Sequence, residues 1–288
     1  MSPSSSRYGC VVITGAGNGV GREIALGFSA KGYIVFGTAM SAEEACDLRD
    51  ASGGRVSLTV CDVTKTDAVR AWAGGVSDAL GDTGLDVLIN NAAHVTRGAI
   101  EVLSLDAIRH EFDVNVFGAV NVINTFLPAL RKAHGRIVQI STWSASVPLP
   151  FNGPSDASQA ALEVLSAVYR AELKPFGIDV VVASVGTLDS PDASQAAAAL
   201  QRVADSMTSD QRKLYGKRFR AFADGMSNLQ ASGLDTSEAA ARIIEVAEQR
   251  PLPIRAMIGR DAEEILRTVR DKSDEELEDF KLKLVGLN

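Results

Sequence analysis

Cys10-Val11-Val12-Ile13-Thr14-Gly15-Ala16-Gly17-Asn18-Gly19-Val20-Gly21 joins four apolar residues to a glycine-rich turn, and Ile24, Ala25, Phe28 and Ala30 then follow at the spacing of one helix face. Strand, turn, helix is the reading. Glycines let the backbone turn tightly and approach a pyrophosphate, and the free N–H groups of a helix start favour an anion. Taken alone, such a turn is a weak signal that an ordinary strand-to-helix connection also satisfies. Its context decides. Short Val/Ile-rich runs alternate with amphipathic stretches along the chain, the pattern of a parallel sheet covered by helices on both faces. Strands are predicted near Cys10–Thr14, Tyr33–Gly37, Val56–Val60, Val87–Asn90, Arg136–Ser141, Asp179–Ser184 and Arg255–Ile258. Helices are predicted near Gly19–Lys31, Ala42–Asp50, Thr66–Leu80, Asp106–Ala133, Ala157–Pro175, Ala193–Ala223, Thr236–Gln249 and Ala262–Arg270.

A chain of 288 residues accommodates this sheet as one domain, 1–288, and no Pro/Ser-rich linker or internal repeat divides it. Met1–Ser6 is a short polar leader without an apolar signal region, and no apolar run approaches membrane-spanning length. Cys10, Cys46 and Cys61 are widely spaced and show no metal-type pairing, which fits a reducing cytoplasm and predicts no metal site. Twenty-nine basic against thirty-six acidic residues leave a net charge of −7. That balance argues against nucleic acid or an anionic membrane as partner and in favour of a small molecule.

Several landmarks in order resemble the short-chain dehydrogenase/reductase family over nearly the whole chain. Thr14 to Gly21 is similar to its cofactor turn; Cys61-Asp62-Val63 to its adenine-contacting Asp-Val; Asn90-Asn91-Ala92-Ala93 to its Asn-Asn-Ala-Gly. Asp113-Val114-Asn115-Val116-Phe117-Gly118 resembles the segment holding its catalytic asparagine, and Gly135 to Thr142 its fifth strand. The resemblance implies a Rossmann-type, doubly wound α/β domain of about seven strands, with a helical substrate lid over 191–234 and a helical cap over 260–288. It also implies that NAD(P) would be held by Thr14, Gly15, Asn18, Gly19, Val20, Gly21, Thr38, Asp62, Val63, Asn90, Ala92, Gly186 and Ser190.

The departures from the family lie where its chemistry would be. Thr142 stands for the serine that polarises the substrate oxygen, and its hydroxyl can do that work. The tyrosine that serves as acid/base, and the lysine one helical turn later, fall on Ser155 and Gln159. A serine hydroxyl is too weak an acid to replace a phenol unaided, and a neutral amide supplies no positive field. Gln159 can still hydrogen-bond a ribose, and Ser155, following Pro154, also reads as a helix N-cap. Met40 takes the place of an arginine that would meet a 2′-phosphate, with no acidic residue at the strand end to favour NAD instead. Val185-Gly186 replaces Pro-Gly near the nicotinamide, Ala93 replaces a glycine, and Ser190 stands for a threonine on the carboxamide. NAD(P) binding is therefore expected to be weak or absent.

Among other candidates, His94 would face the pocket and is a further catalytic candidate beside Asn115, Thr142, Ser155 and Gln159, whereas His110 and His134 show no ligand spacing. Trp143 reads as pocket wall, and Tyr169 lies too far along its helix to replace the missing phenol. The favoured reading is a small-molecule enzyme using non-redox chemistry such as isomerisation, cyclisation or elimination. An NADP(H)-dependent oxidoreductase and a non-catalytic partner subunit or ligand binder remain open. The resemblance further implies a homodimer or homotetramer paired through the helices around Asp106–Ala133 and Ala157–Pro175. Val116, Val120, Ile123 and Phe126 on the first, and Leu162, Leu165, Val168 and Leu173 on the second, supply apolar faces for sheet and neighbour.

Overall fold

The computed structural model describes residues 9–189 and 193–287, with the side chains of 193–197 set aside. Seven parallel strands form the central sheet: β1 (Cys10–Ile13), β2 (Ile34–Ala39), β3 (Val56–Val60), β4 (Val87–Asn90), β5 (Arg136–Thr142), β6 (Asp179–Val185) and β9 (Arg255–Ile258). Their order across the sheet is β3-β2-β1-β4-β5-β6-β9. The order reverses between β1 and β4, which leaves a crevice at the carboxyl ends of the strands, the place where open α/β sheets bind ligands. Val11, Val12 and Ile13 are fully enclosed because helices cover both faces, so the strand reads as an unbroken apolar run.

One face carries α1 (Gly19–Ala30) and α9 (Thr236–Glu248), with Phe28, Ile243 and Ile244 in its core, while α2 (Ala42–Ala51) follows β2 at the sheet's edge. On the other face lie α3 (Thr66–Leu80), α5 (Ala119–Ala133) and α6 (Gly153–Leu173), with Trp72 packed edge-on against Phe126. Arg136, buried at the start of β5, donates from Nη1 to the carbonyls of Ala247 and Gln249 at 2.6 and 3.0 Å. It thereby supplies a cation to the carboxyl end of α9.

Two predicted helices are each divided. Asp106–Ala133 is α4 (Leu105–Phe112), a wider π-helical segment Asp113–Gly118, and α5. Asn115 lies in that segment, where its side chain is pulled into long-range hydrogen bonds; a π-bulge at such a residue is common near functional sites. Ala193–Ala223 is α7 (Ala193–Ser206) and α8 (Ser209–Ala231), parted where Thr208 and Gln211 form a capping box. These helices, with α10 (Arg260–Arg270) and the C-terminal α11 (Asp274–Leu284), enclose a third core around Phe219, Phe222 and Trp143. A two-residue ladder, β7 (Leu188–Asp189) with β8 (Leu234–Asp235), ties the two ends of this lid together. Among the described residues no helix is long and apolar enough to cross a membrane.

Candidate functional site

The glycine turn between β1 and α1 is built by backbone proximity. A Cβ on Gly21 would lie 2.2 Å from the carbonyl oxygen of Gly15, so only glycine lets the helix start beneath the turn. Gly15 itself has φ +64°, and its N–H donates to Thr38 Oγ1 at 2.9 Å. Thr14 Oγ1 accepts from the N–H groups of Asn91 and Ala92, both at 2.9 Å, which locks β1 to the end of β4. Asn18, the N-cap of α1, makes no side-chain cap bond, so the first amides of the helix point into a recess of about 430 Å³.

That recess is lined by Gly15, Asn18, Gly19, Val20, Gly21, Thr38, Asp62, Val63 and Ala92, nine of the predicted cofactor residues. Thr14 and Asn90 are buried behind it and act as wiring, Asn90 Nδ2 donating to Gln139 Oε1 at 2.9 Å. Gly186 lies apart, on the second cavity, where Thr187 N–H donates to Asp261 Oδ2 at 2.6 Å. Ser190 lies outside the described residues. The free amides and the open space above Gly19, where a Cβ would meet nothing, fit a dinucleotide's pyrophosphate. The far rim carries Glu44 instead of a cation. Its carboxylate accepts from Asn18 Nδ2 at 2.7 Å and from Met40 N–H at 2.8 Å.

The second cavity, of about 420 Å³, adjoins the recess through Asn91, Ala92 and Ala93 and is walled by Ile140, Trp143, Leu149, Leu162 and Met226. Thr142, Ser155 and Gln159 all line it. Thr142 ends β5 and accepts from Ser144 N–H at 3.4 Å. Ser155 is not the N-cap of α6, because the helix begins at Gly153 after Asn152, which puts Ser155 within the first turn. Gln159, one turn on, has its Oε1 enclosed without a donor. His94 instead borders the nucleotide recess, 4.9 Å ring to ring from His110. Burial, and then His110, hold its imidazole below the ordinary range.

Asn115 lies behind the cavity and is fully engaged. Its Oδ1 accepts from His94 N–H at 2.7 Å, and its Nδ2 donates to His94 O and Ser158 Oγ, both at 2.9 Å. One turn earlier, Glu111 is completely enclosed and accepts from Thr96 N–H at 2.7 Å, and the nearby Ser155 favours its charged form. Burial raises its carboxyl above the ordinary value, against those hydrogen bonds. Asp156 is raised further, to about 6, by burial. It accepts from Leu149 N–H and Asn152 Nδ2, each at 2.7 Å, and Ser144 and Arg97 also favour its charged form.

The short chain dehydrogenase family model matches residues 9–201. The chain belongs to that family. Mouse estradiol 17-beta-dehydrogenase 2 is 34% identical over 180 residues, 61% of this chain and 47% of that protein. The 3-ketodihydrosphingosine reductase of Bacteroides thetaiotaomicron is 34% identical over 182 residues, 62% of this chain and 64% of its own length. The matched region thus spans less than two thirds of either relative. A crystal structure of a short-chain dehydrogenase from Streptomyces avermitilis superposes with a TM-score of 0.77 at 26% identity, covering 99% of this chain and 100% of the other.

Against the family pattern, sequence reasoning singled out neither Arg97, Glu111, Asp156 nor Glu44. Glu111 had a signal, because it stands four residues before Asn115 and shares its helix face. Asp156 sits between two positions already under suspicion, but its burial depends on the turn Leu149–Asn152 folding over it. For Arg97, in a loop, no periodicity exists to consult.

Proposed function

We propose that this short chain dehydrogenase homologue is a small-molecule enzyme working by proton transfer, in the class of isomerisation, cyclisation or elimination, and not by ordinary alcohol/ketone redox. One observation carries the reading: Ser155, on the wall of the cleft, lies close enough to the enclosed carboxyl of Glu111 to favour its charged form. A carboxyl raised by burial behind a hydroxyl can take up a proton and return it. In the forward step a C–H bond next to a substrate carbonyl breaks and the pair stays on the substrate as an enolate. Its proton passes to Ser155 Oγ, whose own hydroxyl proton moves to Glu111. Return of a proton to a different atom completes an isomerisation, whereas loss of a leaving group completes an elimination. Thr142, on the same cleft wall, donates to the enolate oxygen. NAD(P), held by the recess, would supply hydride transfer, but Met40 and Gln159 bring no positive charge to it, and its binding is weak.

The test is direct. With NADH or NADPH, generic ketones and secondary alcohols should turn over more slowly than about 1 s⁻¹; turnover at or above that rate sinks the reading. Heating the purified protein and identifying what it releases by absorbance and mass spectrometry supplies the substrate. On it, Glu111→Gln should slow turnover about 10²–10⁴-fold and remove the acid limb of the pH profile. The dehydrogenase and reductase names of the relatives favour a second reading, an NAD(P)(H)-dependent oxidoreductase whose proton comes from water.

We further propose a homodimer, through only part of the expected faces. Val116, Ile123, Phe126, Leu162 and Leu173 are buried in the protein's own core and have nothing left to offer a neighbour. Val168, one of the expected residues, is 46% exposed, and with Phe117 and Val164, 63% and 65% exposed on the same elements, it supplies the apolar face. Val164→Glu should convert a dimer to a monomer in light scattering at micromolar concentration, and a monomeric parent protein would refute the assembly.

A further inference from the structure

Arg97 lines the substrate cleft, yet donates no hydrogen bond and forms no ion pair with any described residue. Its Nε is enclosed without an acceptor. A guanidinium keeps its charge at any ordinary pH and carries five donors. Arg97 is half-buried in the cleft wall, and a cation partly withdrawn from water favours an anionic partner.

The obvious partners are committed elsewhere. Glu111 and Asp156 are felt electrostatically by Arg97, but Glu111 is held by Thr96 N–H and Asn115, and Asp156 by Leu149 N–H and Asn152. Neither carboxylate comes close enough to form an ion pair with the guanidinium. The backbone around Arg97 is fixed on both sides. Thr96 N–H donates to Glu111 at 2.7 Å and Gly98 N–H to Phe151 O at 2.8 Å. The backbone that carries Arg97 is therefore fixed, and its guanidinium, on the cleft wall, is open to a partner on the ligand.

We propose that Arg97 binds a carboxylate group of the substrate, so that the cleft selects small organic acids. A planar carboxylate matches the guanidinium fork and can take two parallel hydrogen bonds from it. Two further orphans in the same neighbourhood are acceptors: Gln159 Oε1 on the cleft wall and Asn152 Oδ1 beside it. They call for donors, and a hydroxyl on the acid's chain supplies one. The apolar wall of Trp143, Leu149 and Met226 takes the hydrocarbon part. The proposal deepens the enzyme reading above, and it rests on that reading only in calling the ligand a substrate.

Acetate and its neutral isostere acetamide test the anchor without turnover, with Trp143 fluorescence as the readout and chloride as the ionic-strength control. Acetate should bind saturably at millimolar concentration, about ten-fold or more tighter than acetamide. Arg97→Gln should abolish that preference while leaving the weak acetamide response unchanged, and Arg97→Lys should restore part of it. Equal responses to acetate and acetamide, no saturable acetate response, or an unchanged preference in a folded Arg97→Gln protein would each overturn the proposal. Acetate binding that survives while Glu111→Gln leaves turnover untouched would instead mean that the anchor is right and the proton-transfer reading wrong.

Discussion

The nucleotide recess and the substrate cleft share the same crevice but are built from opposite materials. Around the recess, backbone groups and a few small side chains do the work: Gly15 on Thr38, Thr14 on Asn91 and Ala92, Gly21 against the Gly15 carbonyl. Around the cleft the important groups are titratable or unpaired side chains, namely Glu111, Asp156, Arg97 and Gln159. A site made of backbone tolerates no change of shape. A site made of side chains tolerates a change of shape but not of charge.

The largest effect that would sharpen this contrast is steric. Gly21→Ala puts a methyl group 2.2 Å from a carbonyl oxygen and 2.6 Å from Asn91 Nδ2, and the carbonyl belongs to the turn itself. Denaturant unfolding should show a loss of about 3 kcal/mol or more, with nucleotide binding lost as well. Gln159→Leu in the cleft discards an enclosed amide oxygen that has no donor, so its stability should stay within about 0.5 kcal/mol of the parent. Similar losses from both changes would break the distinction.

The second effect is electrostatic and belongs to the cleft alone. Asp156 has its carboxyl raised from 3.8 to about 6 by burial, and it is only 2% exposed. At pH below 3.8 the folded and unfolded chains both hold the proton, and the folded protein carries no penalty there. As pH rises from 3.8 to about 6 the unfolded chain releases its proton first, and folding loses about 3 kcal/mol over that window. Asp156→Asn removes the titration while its Oδ1 still accepts from Leu149 N–H, and Asn152, turned over, can present its unpaired Oδ1 to the new amide. The stability difference between parent and variant should therefore grow in the variant's favour across that window and level off above it. A flat difference across the same pH range would show that Asp156 titrates normally.

The same division sets what could be seen in the sequence. The sheet was legible because a strand buried on both faces must be apolar throughout, and the glycine turn was legible because its geometry forbids side chains. The lid's break at Thr208 was equally open to inspection, since Thr208 and Gln211 spell a capping box, and Ser273 with Glu276 spell the one that opens α11. The π-helical segment Asp113–Gly118 had no such signature: it depends on Asn115 reaching His94 and Ser158 across the fold. The cleft's charges were hidden for the same reason. Ser155 and Gln159 show only that the family's acid/base pair is replaced, whereas the role proposed for Glu111 depends on its nearness to a serine 44 positions away in the chain.

The smallest effect lies at the rim of the recess, the one place where a side-chain charge enters the backbone-built half. With Met40 in place of an arginine and no acidic residue ending β2, the sequence suggests little preference between NAD and NADP. Glu44, from the first turn of α2, changes that expectation by folding back onto Asn18 and the Met40 N–H. Its carboxylate lies across Gly17, where a Cβ would meet Oε2 at 2.3 Å. A ribose 2′-hydroxyl can donate to such a group, whereas a 2′-phosphate meets like charge at the edge of solvent, where repulsion amounts to about 1 kcal/mol after screening. Calorimetry should find NAD+ bound about ten-fold tighter than NADP+, even with both weak, and Glu44→Gln should bring the two within about three-fold. The gain has to appear as better NADP+ binding, because the glutamine amide can still accept from the ribose. Equal affinities in the parent protein would mean that Glu44 swings away when a nucleotide enters, and that the backbone alone governs the recess.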